Sequence, residues 1–357
     1  MQIVIRVDSS SAIGSGHLMR TLALARVLGE MGRSVVFLCR SLEGDLTRKV
    51  GEAGFAVRLV GGGDWTPATS YPWSEDARQT LGYVSPGDVL VVDHYWLGID
   101  WERSVKPGVG RLVVIDDLGD RAHNCDLLID PNYYPPGTAP YAGLLPRECP
   151  RLVGPRYAML RPEFREKRAT LTRTYTAVRS LLVFFGGSDA RDFTSRALEG
   201  LQTIEHRSFS IECVAGAQNR HLETLARQVA TLGDARLHVD IDYMAALMVS
   251  CDLYLGAAGA TTWERACLGL PSIVIATAEN QIAPVAALAA AGYLQRLGCD
   301  PDDCPQLGAR AVAALVACPE ALCRIAKRNL ELVDGEGAWR CAEAIARSHI
   351  FIPGAET

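Results

Sequence analysis

No two cysteines in this sequence form a C-x-x-C pair, although the chain of 357 residues carries eleven. The closest spacings, Cys299 to Cys304 and Cys318 to Cys323, fit neither a zinc site nor a redox motif. An odd, scattered set of thiols suits a reducing compartment, so a cytoplasmic location is expected. Long apolar runs are also missing. The longest weakly polar stretch, Ile282 to Leu294, is 13 residues and contains Pro284, which is too short to cross a bilayer. Arg6 and Asp8 interrupt the first apolar stretch, so a signal peptide is not expected. There is no basic surplus: 36 lysines and arginines stand against 41 acidic residues, a net charge of −5, and nucleic acid is not an expected partner. Apolar residues are plentiful at 48 %, with 22 % charged, which excludes disorder as the main character of the chain. The length alone suggests two domains.

The first 130 residues alternate strand-like and helix-like segments. Gln2–Val7, Ser34–Cys39, Val89–Asp93, Leu112–Asp116 and Leu127–Asp130 read as strands, and Leu18–Met31 as a helix ended by Gly32. Continuous apolar strands separated by helices predict a parallel sheet covered on both faces. Between residues 131 and 180, Pro135, Pro136, Pro140, Pro146, Pro150, Pro155 and Pro162 are expected to break any regular element, and basic residues crowd Arg161–Arg179. This stretch reads as a linker or hinge. Alternation resumes with strands at Ser180–Phe185, Phe209–Val214, Leu237–Val239, Leu253–Leu255 and Ser272–Ile275, and a terminal helix at Ala338–Arg347. No solenoid repeat is visible. The expected class is α/β, with two doubly wound domains.

In open α/β sheets, ligands bind at the carboxyl ends of strands, so the turns after strands are where chemistry is sought. The first such turn, Asp8-Ser9-Ser10-Ser11 to Gly14-Ser15-Gly16-His17, lacks the third glycine of a dinucleotide fingerprint, because Met19 stands there. It fits either a ligand loop facing His17 or a glycine turn with a cap histidine. Asp93-His94-Tyr95-Trp96 could line a cleft or pack an edge. Asp116-Asp117 has no companion ligands at metal spacing, and no metal is expected. Gly186-Gly187-Ser188-Asp189 precedes a predicted helix and could offer backbone N–H groups to an anion. Gly256-Ala257-Ala258-Gly259-Ala260-Thr261-Thr262-Trp263-Glu264-Arg265 has the outline of a phosphate cradle. It lacks the P-loop lysine. Glu264 is placed to bind a ribose, or else is a solvated charge. Ala278-Glu279-Asn280-Gln281 adds a polar cluster after another strand. Two anion-ready loops in the second half and a histidine loop in the first suggest a cleft between domains.

Taken together, R-x-D-S-S-S-x-I-G-x-G-H-x-x-R from Arg6 to Arg20, D-H-Y at Asp93–Tyr95 and Y-A-M-L-R-P-E-F at Tyr157–Phe164 resemble the PseG-type UDP-2,4-diacetamido-2,4,6-trideoxy-β-L-altropyranose hydrolases of pseudaminic acid biosynthesis. So do F-G-G-S-D at Phe185–Asp189, T-T-W-E-R-x-x-L-G-L-P-S at Thr261–Ser272 and A-E-N-Q at Ala278–Gln281. The motifs run in order along nearly the whole chain. One departure is the loop G-A-A-G-A, where a more glycine-rich run is expected.

The resemblance implies a GT-B fold like that of the MurG type, with two Rossmann-like domains and an interdomain cleft. The expected domains are 1–165, carrying the catalytic histidine with the terminal helix 338–357 packed back on it, and 178–335, binding UDP. It implies hydrolysis of the UDP-sugar to free sugar and UDP with inversion, in a pathway feeding flagellin glycosylation. His17 is the expected base, since a histidine titrates near neutral pH; His94 is the second choice. Gly16, Tyr95 and Asn280 are expected to contact sugar or water. Gly187, Ser188, Gly259, Thr261, Thr262 and Glu264 are expected to bind UDP, with helix starts at Ser188 and Thr261 facing the diphosphate. No cofactor or metal is implied, the partners are the UDP-sugar and UDP, and a monomer is the working expectation. Competing expectations are a GT-B glycosyltransferase using a UDP-sugar donor and a nucleotide-sugar binding protein without catalysis.

Overall fold

A computed structural model describes residues 1–61, 65, 70–298 and 300–347. Cys299 and residues 348–357, part of the expected terminal helix, lie outside the described residues. The chain divides into two compact units, one spanning Met1–Arg161 together with the chain from Gly335, the other spanning Pro162–Asp334.

The first unit holds a seven-stranded, all-parallel sheet: β1 (Ile3–Val7), β2 (Val35–Cys39), β3 (Ala56–Leu59), β4 (Val89–Asp93), β5 (Arg111–Ile115), β6 (Leu127–Asp130) and β7 (Arg151–Val153), in the order β3-β2-β1-β4-β5-β6-β7. β1 and β4 are buried at every position. Such strands must be apolar on both faces, which is why they read as continuous runs rather than alternating ones. One face packs on the helix Gly16–Glu30 and on the helix Gly337–Ala346. Leu18 and Leu22 of the former share a cluster with Ala338, Cys341, Ala342 and Ile345 of the latter. Trp101, fully buried, anchors the opposite face with Val4, Leu90 and Val92.

The second unit repeats the architecture with six parallel strands: β8 (Ser180–Phe184), β9 (Ser210–Ala215), β10 (Ala235–Val239), β11 (Leu253–Ala257), β12 (Ser272–Ile275) and β13 (Gln295–Arg296), ordered β10-β9-β8-β11-β12-β13. In both sheets the strand order reverses beside the first strand, between β1 and β4 and between β8 and β11. That reversal opens a crevice at the carboxyl edge, where ligands of open α/β sheets bind.

The proline-rich stretch departs from its expected irregularity. Arg151–Val153 adds the edge strand β7, and Pro162–Ala169 is a helix. The prolines are compatible with both. Pro162 occupies the first helical position, whose N–H has no intrahelical partner in any case. Pro150 lies just outside β7 and contributes its carbonyl to the N–H of Leu128. The helix goes with the second unit, where Phe164 is buried and Arg168 donates to the carbonyl of Leu330 at 2.8 Å. No helix among the described residues is long and apolar enough to cross a membrane.

Candidate active site

In the first unit the loop after β1 leads into the helix Gly16–Glu30 at its first residue, so His17 sits in the opening turn. Gly14 turns the loop with a φ of +85°, and its N–H donates to the carbonyl of Ser10 at 2.8 Å. Gly16, half-buried, opens the helix beside the histidine. His17 is not an exposed cap residue: it is 7 % exposed. Its Nδ1 lies 2.6 Å from Oδ1 of Asp93, the last residue of β4. Nη2 of Arg20 also lies 3.1 Å from Nδ1, but the shorter contact is to the carboxylate, which only accepts, and this assigns the proton to Nδ1 and leaves Nε2 as the basic nitrogen.

Arg20, one turn after His17, fixes Asp93 in place. Its Nε donates to Oδ2 and its Nη2 to Oδ1, both at 2.6 Å, while Nη1 donates to Oδ2 of Asp117 at 2.6 Å. Burial by itself would raise the Asp93 carboxyl, but Arg20, and after it His17, hold it at about 2. Tyr95 completes the group, its ring edge-on to the His17 imidazole with centroids 4.4 Å apart. Burial, followed by the charge of Asp117, pushes the Tyr95 phenol up, so it stays a neutral hydrogen-bonding group.

His94 is differently engaged. Its Nδ1 accepts the N–H of Trp96 at 3.1 Å, so its proton is on Nε2, which donates to Oδ2 of Asp8 at 3.1 Å. Both nitrogens are occupied, and burial lowers its pKa and keeps the ring neutral. It belongs to a buried network in which Arg6 binds Asp8 at 2.5 Å and Asp76 at 2.6 Å, with Tyr71 between them. Asp116 and Asp117 divide their roles. Asp117 meets Arg20, whereas Asp116 turns to Arg121, to the hydroxyl of Tyr141 and to the N–H of Gly119. Among the described residues no three His, Cys, Asp or Glu side chains converge as metal ligands.

In the second unit the loops after β8 and β11 lie at the strand-order reversal. Gly186 has a φ of +98°, and Gly187 and Ser188 are exposed. The following helix begins at Phe193 and not at Ser188. Its first N–H groups are already taken: the buried Asp189 carboxylate accepts from Phe193 N at 3.0 Å, from Thr194 N at 2.8 Å and from the Thr194 hydroxyl at 2.6 Å. An internal anion thus caps this helix, and what the loop presents outward is the backbone of Gly187 and Ser188.

The loop after β11 is built for close approach. A Cβ on Gly256 would collide with the carbonyl of Phe184, and Gly259 adopts a φ of +100°. Both are therefore fixed as glycine in the G-A-A-G-A run. Thr261 and Thr262 open the short helix Thr261–Cys267, no side chain caps it, and Glu264 is half-buried in its first turn. After β12, Asn280 is exposed at the start of the helix Glu279–Ala290, where Gln281 Oε1 accepts the N–H of Thr277 at 3.0 Å. Gly16, His17 and Tyr95 are thus gathered in one unit, and the loops carrying Gly187, Ser188, Gly259, Thr261, Thr262, Glu264 and Asn280 follow neighbouring strands of the other.

Residues 180–295 match the glycosyltransferase family 28 C-terminal domain. The whole chain is similar in structure to MurG of Acinetobacter baumannii, with a TM-score of 0.67 at 13 % identity, covering 97 % of this chain and 99 % of that one. The fold is GT-B. Over 296 residues the chain is 26 % identical to the UDP-2,4-diacetamido-2,4,6-trideoxy-β-L-altropyranose hydrolase of Campylobacter jejuni, covering 82 % of this chain and 98 % of that one. The chain resembles this hydrolase. A protein of Methanocaldococcus jannaschii described as uncharacterized is 27 % identical over 290 residues, 79 % of this chain, and the match spans 57 % of that relative's length.

The sequence placed Asp93 only in a cluster that could line a cleft or pack an edge, not behind His17, and gave Arg20 no role, though both stood within the quoted motifs. The signal was available in the helical spacing of Arg20, three residues after His17, and in the strand-terminal position of Asp93.

Proposed function

We propose that the protein hydrolyses UDP-2,4-diacetamido-2,4,6-trideoxy-β-L-altropyranose to UDP and the free sugar, a step of pseudaminic acid biosynthesis. Nε2 of His17 takes a proton from water as the water oxygen bonds to the anomeric carbon. The bond from that carbon to the diphosphate oxygen breaks, and its electron pair leaves with UDP. The sugar is released with inversion and without a covalent intermediate. Asp93 holds the imidazole in the tautomer that exposes Nε2 and stabilises the imidazolium that forms. UDP is already a good leaving group, so the demand is for a base rather than a strong acid.

The observation that carries this reading is the 2.6 Å bond between His17 Nδ1 and Asp93 Oδ1 at the carboxyl edge of the first sheet. A carboxylate behind a buried histidine orients the ring and stabilises the imidazolium, which supports general-base chemistry. Gly16, Tyr95 and Asn280 contact water and sugar in this scheme, and Gly187, Ser188, Gly259, Thr261, Thr262 and Glu264 hold UDP. The match to a glycosyltransferase domain favours a second reading, in which a sugar or lipid hydroxyl replaces water. Incubation with a panel of UDP-sugars decides between them. Rapid UDP release without acceptor is expected; release that waits for an added acceptor overturns hydrolysis in favour of transfer.

A further inference from the structure

The acidic pair Asp116-Asp117 after β5 takes no part in the scheme above, and its two members face different partners. Asp116 is absorbed in a network with Arg121 and Tyr141. Asp117 lies on the far side of Arg20 from Asp93. β5 runs beside β4 with Ile115 in register with Asp93, so the carboxylates of Asp93 and Asp117 leave neighbouring strand ends, and Arg20 spans them. The backbone of Asp117 is tied in turn to the chain after β6, where Asn132 Nδ2 donates to its carbonyl at 2.6 Å.

Nη2 of Arg20 has two groups within reach. It donates to Asp93 Oδ1 at 2.6 Å and lies 3.1 Å from His17 Nδ1. The two uses exclude each other. While Nη2 serves Asp93, the proton of the neutral imidazole stays on Nδ1 and Nε2 is free. A guanidinium only donates. If Nη2 turned to Nδ1, that nitrogen would have to accept, and the ring proton would move to Nε2. The ring could then no longer take a proton from water there. Tyr95 packs edge-on to the imidazole with centroids 4.4 Å apart and holds the ring itself, so the place of its proton is the variable. Nη1 decides it. Nη1 donates to Asp117 Oδ2 at 2.6 Å, and because a guanidinium is planar and rigid, fixing Nη1 fixes the direction of Nη2.

We propose that Asp117 is a positioning residue for the base: by holding Nη1 of Arg20 it keeps Nη2 on Asp93 and off His17, and so selects the imidazole tautomer with a free Nε2. The inference rests on the reading of His17 as the base. It goes beyond that reading by naming the residue that sets the place of the ring proton from across the guanidinium.

The test is ¹⁵N NMR of the full-length protein labelled with ¹⁵N-histidine, at a pH alkaline enough to neutralise the His17 ring, with His17→Asn identifying its signals. The wild type should show the Nδ1–H form; a wild type in the Nε2–H form overturns the proposal. Asp117→Ala should convert a large part of the ring to Nε2–H. It should lower kcat about 10-fold, the size of one hydrogen bond, with KM unchanged, because only the step that takes the proton is touched. Asp117→Asn keeps an acceptor without its charge and should lie between the two. In Arg20→Gln, adding Asp117→Ala should change neither tautomer nor kcat further; a further change overturns the route through Arg20. A merely structural Asp117 predicts an unchanged tautomer with kcat and KM altered together, and that result overturns the proposal. Should Asp117→Ala not fold, Asp117→Asn decides it: a rise in the Nε2–H form supports the proposal, and an unchanged Nδ1–H form overturns it. The tautomer is read without substrate, so a wild type that hydrolyses no UDP-sugar would remove the proposed activity and leave this test to decide the role of Asp117.

Discussion

Arg20 and Asp93 meet through two parallel hydrogen bonds of 2.6 Å, Nε to Oδ2 and Nη2 to Oδ1, and that same Oδ1 faces Nδ1 of His17. The guanidinium keeps the carboxylate ionised and weakly basic, so Asp93 orients the imidazole without taking its proton. The pair fixes the direction in which His17 can act as a base.

Replacing His17 with Asn should leave the fold and UDP affinity intact and lower turnover on the order of 10²- to 10⁴-fold, the usual cost of losing a general base. Asp93→Asn should also lower turnover, because an amide can donate to Nδ1 and so favour the wrong tautomer. It should further alter acid stability. The Asp93 carboxyl falls from 3.8 to about 2 on folding. A depressed carboxyl contributes stability above its unfolded value, and that contribution is lost as pH falls through the folded one. Denaturant midpoints measured from pH 5 to pH 2 should drop more steeply in the wild type than in Asp93→Asn, by on the order of 2 kcal/mol over the window. Parallel curves would count against the ion pair, and near-wild-type turnover in His17→Asn would remove His17 from the chemistry.

At the other end of the pH scale the informative group is His123. Its Nδ1 lies 2.6 Å from Glu102 and its Nε2 3.7 Å from Asp116, all within the first unit. Burial disfavours its charge, yet the carboxylates of Asp116 and Glu102 prevail and raise it from 6.5 to about 9. A raised histidine contributes its full stability below the unfolded value and loses it as pH rises through the folded one. Urea midpoints should therefore decline between about pH 6.5 and 9 in the wild type, and the decline should be shallower in His123→Gln. Equal slopes would mean that His123 is neutral in the folded protein.

Glu264→Ala should weaken UDP binding more than it slows the chemical step. The loss of hydrogen bonds to a charged acceptor corresponds to about 1.5–3 kcal/mol. Calorimetry with UDP gives the affinity and single-turnover kinetics gives the chemistry. An unchanged affinity would make Glu264 a solvated surface charge.

Turnover in ¹⁸O water reports which bond breaks. Attack at the anomeric carbon by water activated at His17 places the label on the sugar, whereas attack at phosphorus places it on UDP and commonly draws on a bound metal. We expect label in the sugar and activity that survives EDTA. Labelled UDP, or a loss with chelator that magnesium reverses, would assign the protein to the phosphohydrolases.

The central strands were legible in the sequence because they are buried on both faces: Val89–Asp93, Leu127–Asp130 and Ser272–Ile275 match the expected segments residue for residue. The strands that escaped are β3, β7 and β13. β3 is largely exposed, β7 is three residues long between prolines, and β13 has two residues; none carries enough buried surface to leave an apolar pattern. In the site, glycine spacing revealed the loops around His17 and Gly259 because backbone conformation constrains residue type. The partner of His17 comes from β4, 76 residues away, and the buried Arg265 takes its partners from β11 and β12, the ring of Tyr254 and the hydroxyl of Ser272. Contacts between distant segments leave no local spacing to read. The start of the helix at Phe193 was misjudged because Asp189 looked like part of an anion loop, while its carboxylate serves as the anion.

The helix Gly337–Ala346 completes the core of the first unit, with Cys341 and Ala342 wholly enclosed and Arg111 capping its last carbonyls at Ala344 and Ile345. The second unit, by contrast, is one unbroken stretch of chain. During synthesis the ribosome therefore delivers every residue of the second unit before it delivers the piece that closes the first. The earlier-made half must wait, its apolar groove beside Leu18 and Leu22 uncovered, while the later-made half can finish folding. A nascent chain stalled at Asp334 would expose that groove to chaperones, and the emergence of the helix Gly337–Ala346 sets the moment at which the histidine-bearing half becomes secure.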